Sequence, residues 1–158
     1  MIVSLEQLCD GHRLGQDDSR RVVLSVGCFD LLHTGHVEHL RQAKAMGDVL
    51  VVGVTADRHV AKGPGRPLFP ETQRACLLDT LKPVDYVIIV DSPSATGIIE
   101  TLNHHVYVKG PDYVAGQDPA GNLEAERLAV EGVGGRLSFT DGDKQSSTEI
   151  IRRLKPHV

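Results

Sequence analysis

Apolar residues in this chain come in short solid blocks, separated by stretches where they recur at helical spacing. Val22-Val23-Leu24-Ser25-Val26 runs apolar up to Gly27. A short, β-branched run bounded by glycine predicts a strand buried on both faces. Similar blocks cover 49–54, 84–90 and 106–108, and Arg136 to Thr140 reads as a fifth strand. Between the first two blocks, Val37, Leu40, Ala43 and Met46 sit at helical spacing, which predicts a helix over 36–46 closed by Gly47-Asp48. Helices are also predicted over 71–81, 94–102 and 122–130, with a short one over 55–61. Lys62-Gly63-Pro64-Gly65-Arg66-Pro67 is a loop by composition. Near the end, Ser146-Ser147-Thr148-Glu149 has the S-x-x-E form of a capping box ahead of an apolar helix.

Strand and helix alternate five times along the chain. This predicts a single Rossmann-like α/β domain with a doubly wound, five-stranded parallel sheet. Residues 1–21 read as a preamble, with Leu5 and Leu8 on a short helix, and 22–158 as the domain. With strand order 3-2-1-4-5, ligands bind beyond the carboxyl ends of strands 1 and 4. The 158 residues suit one domain, and 41% apolar with 24% charged residues argues against disorder. A net charge of -4 argues against a general nucleic-acid partner. No apolar run reaches membrane-spanning length and no signal-peptide pattern is present, so no membrane association is expected. Cys9, Cys28 and Cys76 are odd in number and far apart, which fits a reducing, cytoplasmic compartment.

The candidate chemistry follows the first strand, in Gly27-Cys28-Phe29-Asp30-Leu31-Leu32-His33-Thr34-Gly35-His36. Two imidazoles flank Gly35 at the start of a helix, where free N–H groups and the helix dipole favour an anion. Each imidazole can become cationic near neutral pH. The string fits a phosphate site, and it also fits a helix cap carrying two surface histidines. His33, His36 and His39 at i, i+3 and i+6 admit a zinc reading, but no Cys or carboxylate stands at an obvious ligand spacing. No P-loop or GxGxxG pattern is present. Arg74 breaks the apolar stripe of Leu77, Leu78 and Leu81: it either snorkels to water or points its guanidinium into the crevice at a phosphate. In the second case, Arg74→Leu is expected to leave stability unchanged or higher. Lys62 and Arg66 put cations in the Gly/Pro loop, which closes on a triphosphate or is a solvated surface. Lys44 reads as a solvated-face lysine. Lys109-Gly110-Pro111-Asp112-Tyr113 follows the fourth strand, as base-recognising backbone or as a plain Gly-Pro turn. Asp30 is a neighbour of the site or a turn residue.

The ten-residue string resembles the G-x-F-D-x-x-H-x-G-H signature of the cytidylyltransferase-like nucleotidyltransferases. The resemblance implies transfer of a nucleotidyl group from a nucleoside triphosphate to a phosphorylated small-molecule acceptor, with release of pyrophosphate. It implies catalytic roles for His33, His36, Lys62 and Arg74. Nucleotide binding is implied for Gly27, Cys28, Phe29, Gly35, Lys109, Gly110, Asp112, Ser146, Ser147 and Thr148. Mg2+ is expected to arrive with ATP, no metal-binding residue is assigned, and a homodimer is expected. The leader Ile2-Val3-Ser4-Leu5-Glu6, Gly65-Arg66-Pro67, Gln73-Arg74 and Val108-Lys109-Gly110 resemble the module that adenylylates heptose 1-phosphate. ATP and a sugar phosphate are the substrates this implies, for a transferase standing without the partner kinase module. Glycerol-3-phosphate cytidylyltransferases are the alternative branch, but they carry an arginine where this chain has Asp141. Segment 116–122 is longer and more polar than that module suggests. An alternative of another class is a non-catalytic nucleotide-binding module, which would be expected to have lost a histidine or Arg74.

Overall fold

The computed structural model describes residues 1–10, 14, 19–114, 118, 121–142 and 145–154. Its centre is β1 (Val22–Gly27), which pairs in parallel with β2 (Val49–Thr55) on one side and β4 (Val106–Lys109) on the other. β3 (Tyr86–Val90) lies outside β2, and β5 (Arg136–Phe139) outside β4. The sheet order is β3-β2-β1-β4-β5, all parallel, as the alternation of blocks predicted.

Burial on both faces explains the solid apolar blocks. Leu24, Val51, Ile88 and Tyr107 point to a core shared with Ile99 and Val130. Those two come from α4 (Thr96–Thr101) and α5 (Leu123–Gly132). Val23, Leu50, Val52, Val87 and Val106 point the other way. They meet Leu40 and Ala43 of α2 (Thr34–Ala45), and Ala75 and Leu78 of α3 (Glu71–Asp79). Alternate strand residues thus face different helices, which is the doubly wound arrangement.

Some boundaries differ from the sequence expectation. The helix expected over 36–46 begins two residues earlier, because His33 serves as its N-cap in extended conformation. The expected helix over 55–61 is only a 3-10 turn, Asp57–His59. The helix over 71–81 ends at Asp79, with Thr80 as its cap. The strand over 84–90 starts at Tyr86, after the Asp85 carboxylate has taken the Leu50 N–H at 2.7 Å. A 3-10 turn at Pro111–Tyr113 follows β4.

The leader joins the core rather than lying apart from it. α1 (Leu5–Cys9) is capped by Ser4 and buries Leu8. Val3 N–H donates to the Val87 carbonyl and Val87 N–H to the Met1 carbonyl, which covers the outer edge of β3. Gly47, between α2 and β2, is obligatory by contact: a Cβ there would stand 2.5 Å from the Arg21 carbonyl oxygen.

Candidate active site

β1 ends at Gly27, and the chain turns through Phe29 at φ 49, the only non-glycine residue with positive φ among those described. The turn wedges the Phe29 ring back over Gly27, where a Cβ would come within 3.0 Å of it. The same ring meets His36 edge to face at 5.5 Å. A strained turn thus sets the position of an imidazole, in line with the tendency of such strain to collect at functional sites.

Asp30 is buried beneath this turn. Its carboxylate accepts from Leu68 N–H at 2.7 Å, Phe69 N–H at 3.1 Å and Arg66 Nε at 2.5 Å. Burial alone would raise its pKa. The Phe69 and Leu68 N–H donors and the Arg66 guanidinium outweigh that and hold the carboxyl below its ordinary value. Asp30 is therefore the clamp that fastens the Gly/Pro loop to the histidine string.

His33 and His36 stack, with ring centroids 3.8 Å apart. His33 N–H points at His36 Nδ1 at 3.4 Å. That makes Nδ1 the acceptor and leaves the proton on Nε2. Gly35 lies under this pair: a Cβ would come within 3.0 Å of the His33 ring and of the Gln145 side chain. Gln145 Oε1 accepts from Gly35 N–H at 3.1 Å and from the Thr34 hydroxyl at 2.8 Å, at the N-terminus of α2.

The expectation that these imidazoles charge near neutrality is corrected by their burial. Burial, then the neighbouring His33, Lys62 and His39, push His36 down to about 3. Burial, then Lys62, lower His33. His39 lies between the Ser25 and Thr140 hydroxyls, each 2.8 Å away, and burial followed by Lys109 pushes it down to about 4. An unfolded imidazole takes its proton near 6.5, so below that pH the unfolded chain binds more protons than the folded one. The stability carried by the neutral rings is complete above 6.5 and is lost as pH falls, toward about 4 for His39 and about 3 for His36. Each buried ring should cost about 1.4 kcal/mol per pH unit in that window. Urea melts from pH 7.5 to 5 should show a falling midpoint, and His39→Gln should flatten the fall. A midpoint independent of pH would contradict these charge states.

Other candidates are placed differently from expectation. The Arg74 guanidinium turns inward and is fully buried. Nε donates to the Phe69 carbonyl, Nη1 to Cys28, and Nη2 to both the Thr55 carbonyl and the Asp57 carboxylate at 2.9 and 2.5 Å. It braces the crevice from behind, because its partners lie on β2, the turn after β1, the 3-10 turn and the segment before α3. Lys109 is likewise buried, 2.9 Å from Glu126, whose carboxylate also takes the Tyr107 hydroxyl and Ala95 N–H. Its ammonium stands 4.2 Å from the Tyr113 ring centre. Ser147 opens α6 (Ser147–Leu154) and spends its hydroxyl proton on the Leu31 carbonyl at 2.8 Å.

The remaining candidates are exposed or half-buried. Cys28 is half-buried, and burial raises its thiol pKa. Lys62 is exposed, yet close enough to lower both histidines. Gly110 is half-buried with open space where a Cβ would be, and Asp112 follows in the 3-10 turn. Ser146 is half-buried, and exposed Thr148 Oγ1 takes Arg66 Nη1 at 3.3 Å. Lys44 bonds Asp85 and the Asp48 carbonyl. Most of segment 116–122 lies outside the described residues, as do positions 143 and 144 after Asp141. Among the described residues, no three His, Cys, Asp or Glu are grouped to hold a metal ion, and no helix is long and apolar enough to cross a membrane.

Asp30, Arg66, Gln145 and Glu126 were missed or left undecided as working parts of the site. Asp30 and Arg66 carried a signal, since both lie in distinctive strings. Glu126 carried none, because its partners Ala95, Tyr107 and Lys109 are remote in sequence.

The profile of the family described as Cytidylyltransferase-like matches residues 24–153. The chain is similar to a bifunctional protein HldE of Syntrophotalea carbinolica, 39% identical over 156 residues, covering 94% of this chain and 30% of that protein. It thus spans about three tenths of the length of the curated relatives it matches. Its fold is similar to the lipopolysaccharide core biosynthesis protein from Thermoplasma volcanium. That match has TM-score 0.63 and 28% identity, and covers 81% of this chain and all of the other. A pantoate-beta-alanine ligase from Francisella tularensis shares the fold at TM-score 0.66 and 12% identity, covering 99% of this chain and 74% of that one.

Proposed function

Because the chain belongs to the cytidylyltransferase-like family and is a nucleotidyltransferase, we propose that it moves AMP from ATP to a sugar 1-phosphate of the heptose type. The observation that carries this reading is the stacked His33–His36 pair at the start of α2, directly beyond β1. A phosphate entering there meets neutral N–H donors and the positive end of a helix.

An anionic oxygen of the acceptor phosphate attacks the α-phosphorus of ATP in line. The bond from the α-phosphorus to the bridging oxygen breaks, and pyrophosphate leaves. The nucleophile is already ionised at pH 7, so the protein supplies position and charge stabilisation rather than a general base. His36 donates Nε2–H to oxygens around the α-phosphorus, and His33 lies stacked beside it. Lys62, exposed at the start of the Gly/Pro loop, holds the triphosphate. Ser146 and Thr148, with the N–H groups of α6, hold its β/γ end. Gly27, Cys28, Phe29 and Gly35 line the nucleotide. Gly110 and Asp112 present backbone to the base. Arg74, Lys109 and Ser147 hold the walls in place. Mg2+ enters as part of the ATP substrate. We also place the enzyme in the cytoplasm as a homodimer.

Support for the heptose branch comes from the HldE relatives and from the absence of arginine at Asp141. Four nucleoside triphosphates assayed against a panel of sugar and polyol phosphates, with pyrophosphate as readout, test the proposal. Release is expected with ATP and a heptose or hexose 1-phosphate, with ATP favoured over CTP by more than about 10³. Release only with CTP and glycerol 3-phosphate moves the chain to another branch. No nucleotide binding in the presence of Mg2+ sinks the reading.

A further inference from the structure

Arg66 is held on two sides and incomplete on a third. Its side chain is 7% exposed. Nε donates to Asp30 at 2.5 Å, and Nη1 reaches the Thr148 hydroxyl oxygen at 3.3 Å. Nη2 is buried and has no hydrogen-bond partner. A buried guanidinium N–H without an acceptor is costly, and native proteins leave few such groups unless a ligand completes them. Asp30 fixes the plane of the fork from the histidine loop, while Thr148 marks its direction, toward the first turn of α6. His33 Nδ1 is a second buried atom lacking a partner, and it lies against Gly35 and Gln145 just ahead of α6. Two incomplete polar groups therefore flank the same helix start, one from the Gly/Pro loop and one from α2.

We propose that Arg66 is a binding residue for the β- and γ-phosphates of the nucleoside triphosphate, and hence for the pyrophosphate product, with Nη2 as the donor. This rests on the nucleotidyltransferase reading and extends it to a residue outside the histidine string. A phosphate oxygen reaches Nη2 by parting Thr148 from Nη1, the longer of the two bonds that Arg66 makes. It then accepts from the guanidinium and from the freed Thr148 hydroxyl together. The Asp30 carboxylate holds the fork in place without competing for Nη2. The loop that carries Arg66 is thus a docked wall of the phosphate pocket, rather than a lid that finds its place only when substrate arrives.

Mg2+·pyrophosphate and AMP are titrated separately into wild type, Arg66→Lys and Arg66→Gln, and KM is measured for the triphosphate and for the acceptor. Lysine keeps a cation on Asp30 but puts its donors on one nitrogen, losing the Nη1 and Nη2 positions of the fork. Both variants should bind pyrophosphate about tenfold or more weakly, the scale of one charge-assisted bond. AMP affinity and acceptor KM should stay within twofold of wild type. Pyrophosphate affinity unchanged in Arg66→Lys overturns the proposal, and so does an equal loss of AMP and pyrophosphate, which marks a general collapse of the loop. Should neither variant melt cooperatively, the guanidinium resonances of 15N-arginine-labelled wild type decide. One set should shift on saturation with pyrophosphate and not with AMP, and no such shift overturns the proposal. Wild type that turns over substrate while Arg66→Lys is unaffected sinks only the role of Arg66. Wild type that binds neither triphosphate nor pyrophosphate sinks the functional reading with it.

Discussion

Replacing His36 with alanine should lower kcat by roughly 10²–10³, the usual cost of one oriented donor at a transition state carrying developing charge. The donor is fixed before substrate arrives. The Phe29 edge holds one side of the ring, His33 stacks on the other, and His33 N–H keeps the proton on Nε2. A ring held in this way loses little freedom as the transition state forms, which is why its removal should appear in kcat more than in KM. The protein should still fold, because the ring is only half-buried and its ring contact with the core is at the Phe29 edge. Since burial and the neighbouring groups push His36 down to about 3, kcat should also show no limb from its titration between pH 5 and 8. Purified His36→Ala turning over at the wild-type rate, with its fold checked by thermal melting, would remove the imidazole from the mechanism.

Arg74→Leu should cost roughly 3 kcal/mol or more of stability, since it leaves three carbonyl oxygens without their donor at about 1–3 kcal/mol for each buried group. Leucine continues the apolar stripe of α3, so the sequence alone suggested a neutral or stabilising exchange. The structure reverses the sign. The guanidinium satisfies carbonyls of Phe69, Cys28 and Thr55 and pairs with Asp57. Leucine strands all four groups, three of them main-chain oxygens in the walls of the crevice. Arg74→Lys should rescue only part of the loss, because a single ammonium cannot span the positions that the fork reaches. Urea unfolding of both variants checks this. An unchanged midpoint for Arg74→Leu would free the guanidinium for a role in the crevice.

The fold was legible because strands β1 to β4 announce themselves, while β5, Arg136–Phe139, is only partly buried and followed from the alternation of strand and helix. Buried parallel strands need apolar residues on both faces, so Val22–Val26 and Val49–Val54 stand out as blocks and cannot pass for amphipathic helix. The histidine string was legible for a similar reason, since the turn, its N-cap and the helix start are contiguous. What stayed hidden was every partner held at long range. Arg74 looked like an interruption because periodicity reports which face a residue is on, not what waits there. Lys109 looked available because Glu126 is on another helix. Ser147 looked like a phosphate ligand because nothing near it in sequence foretells the Leu31 carbonyl. Asp30 and Arg66 were each in view, but 36 positions apart, and their bond is a product of the tertiary fold.

The central position of β1 also bears on how the chain assembles. β1, β2 and β3 pair in the order in which they occur along the chain. Val23 and Leu24, however, pair on their other side with Val106 and Tyr107, 83 residues later. Closing that gap is entropically slow, as it is for any contact so distant along the chain. On a ribosome the histidine turn emerges well before the strand that forms the opposite wall of its crevice. The half-sheet therefore carries an open β1 edge until β4 arrives, a template for pairing with other chains. Slow or interrupted synthesis between residues 60 and 105 should then produce aggregates rather than a stable, partly active fragment.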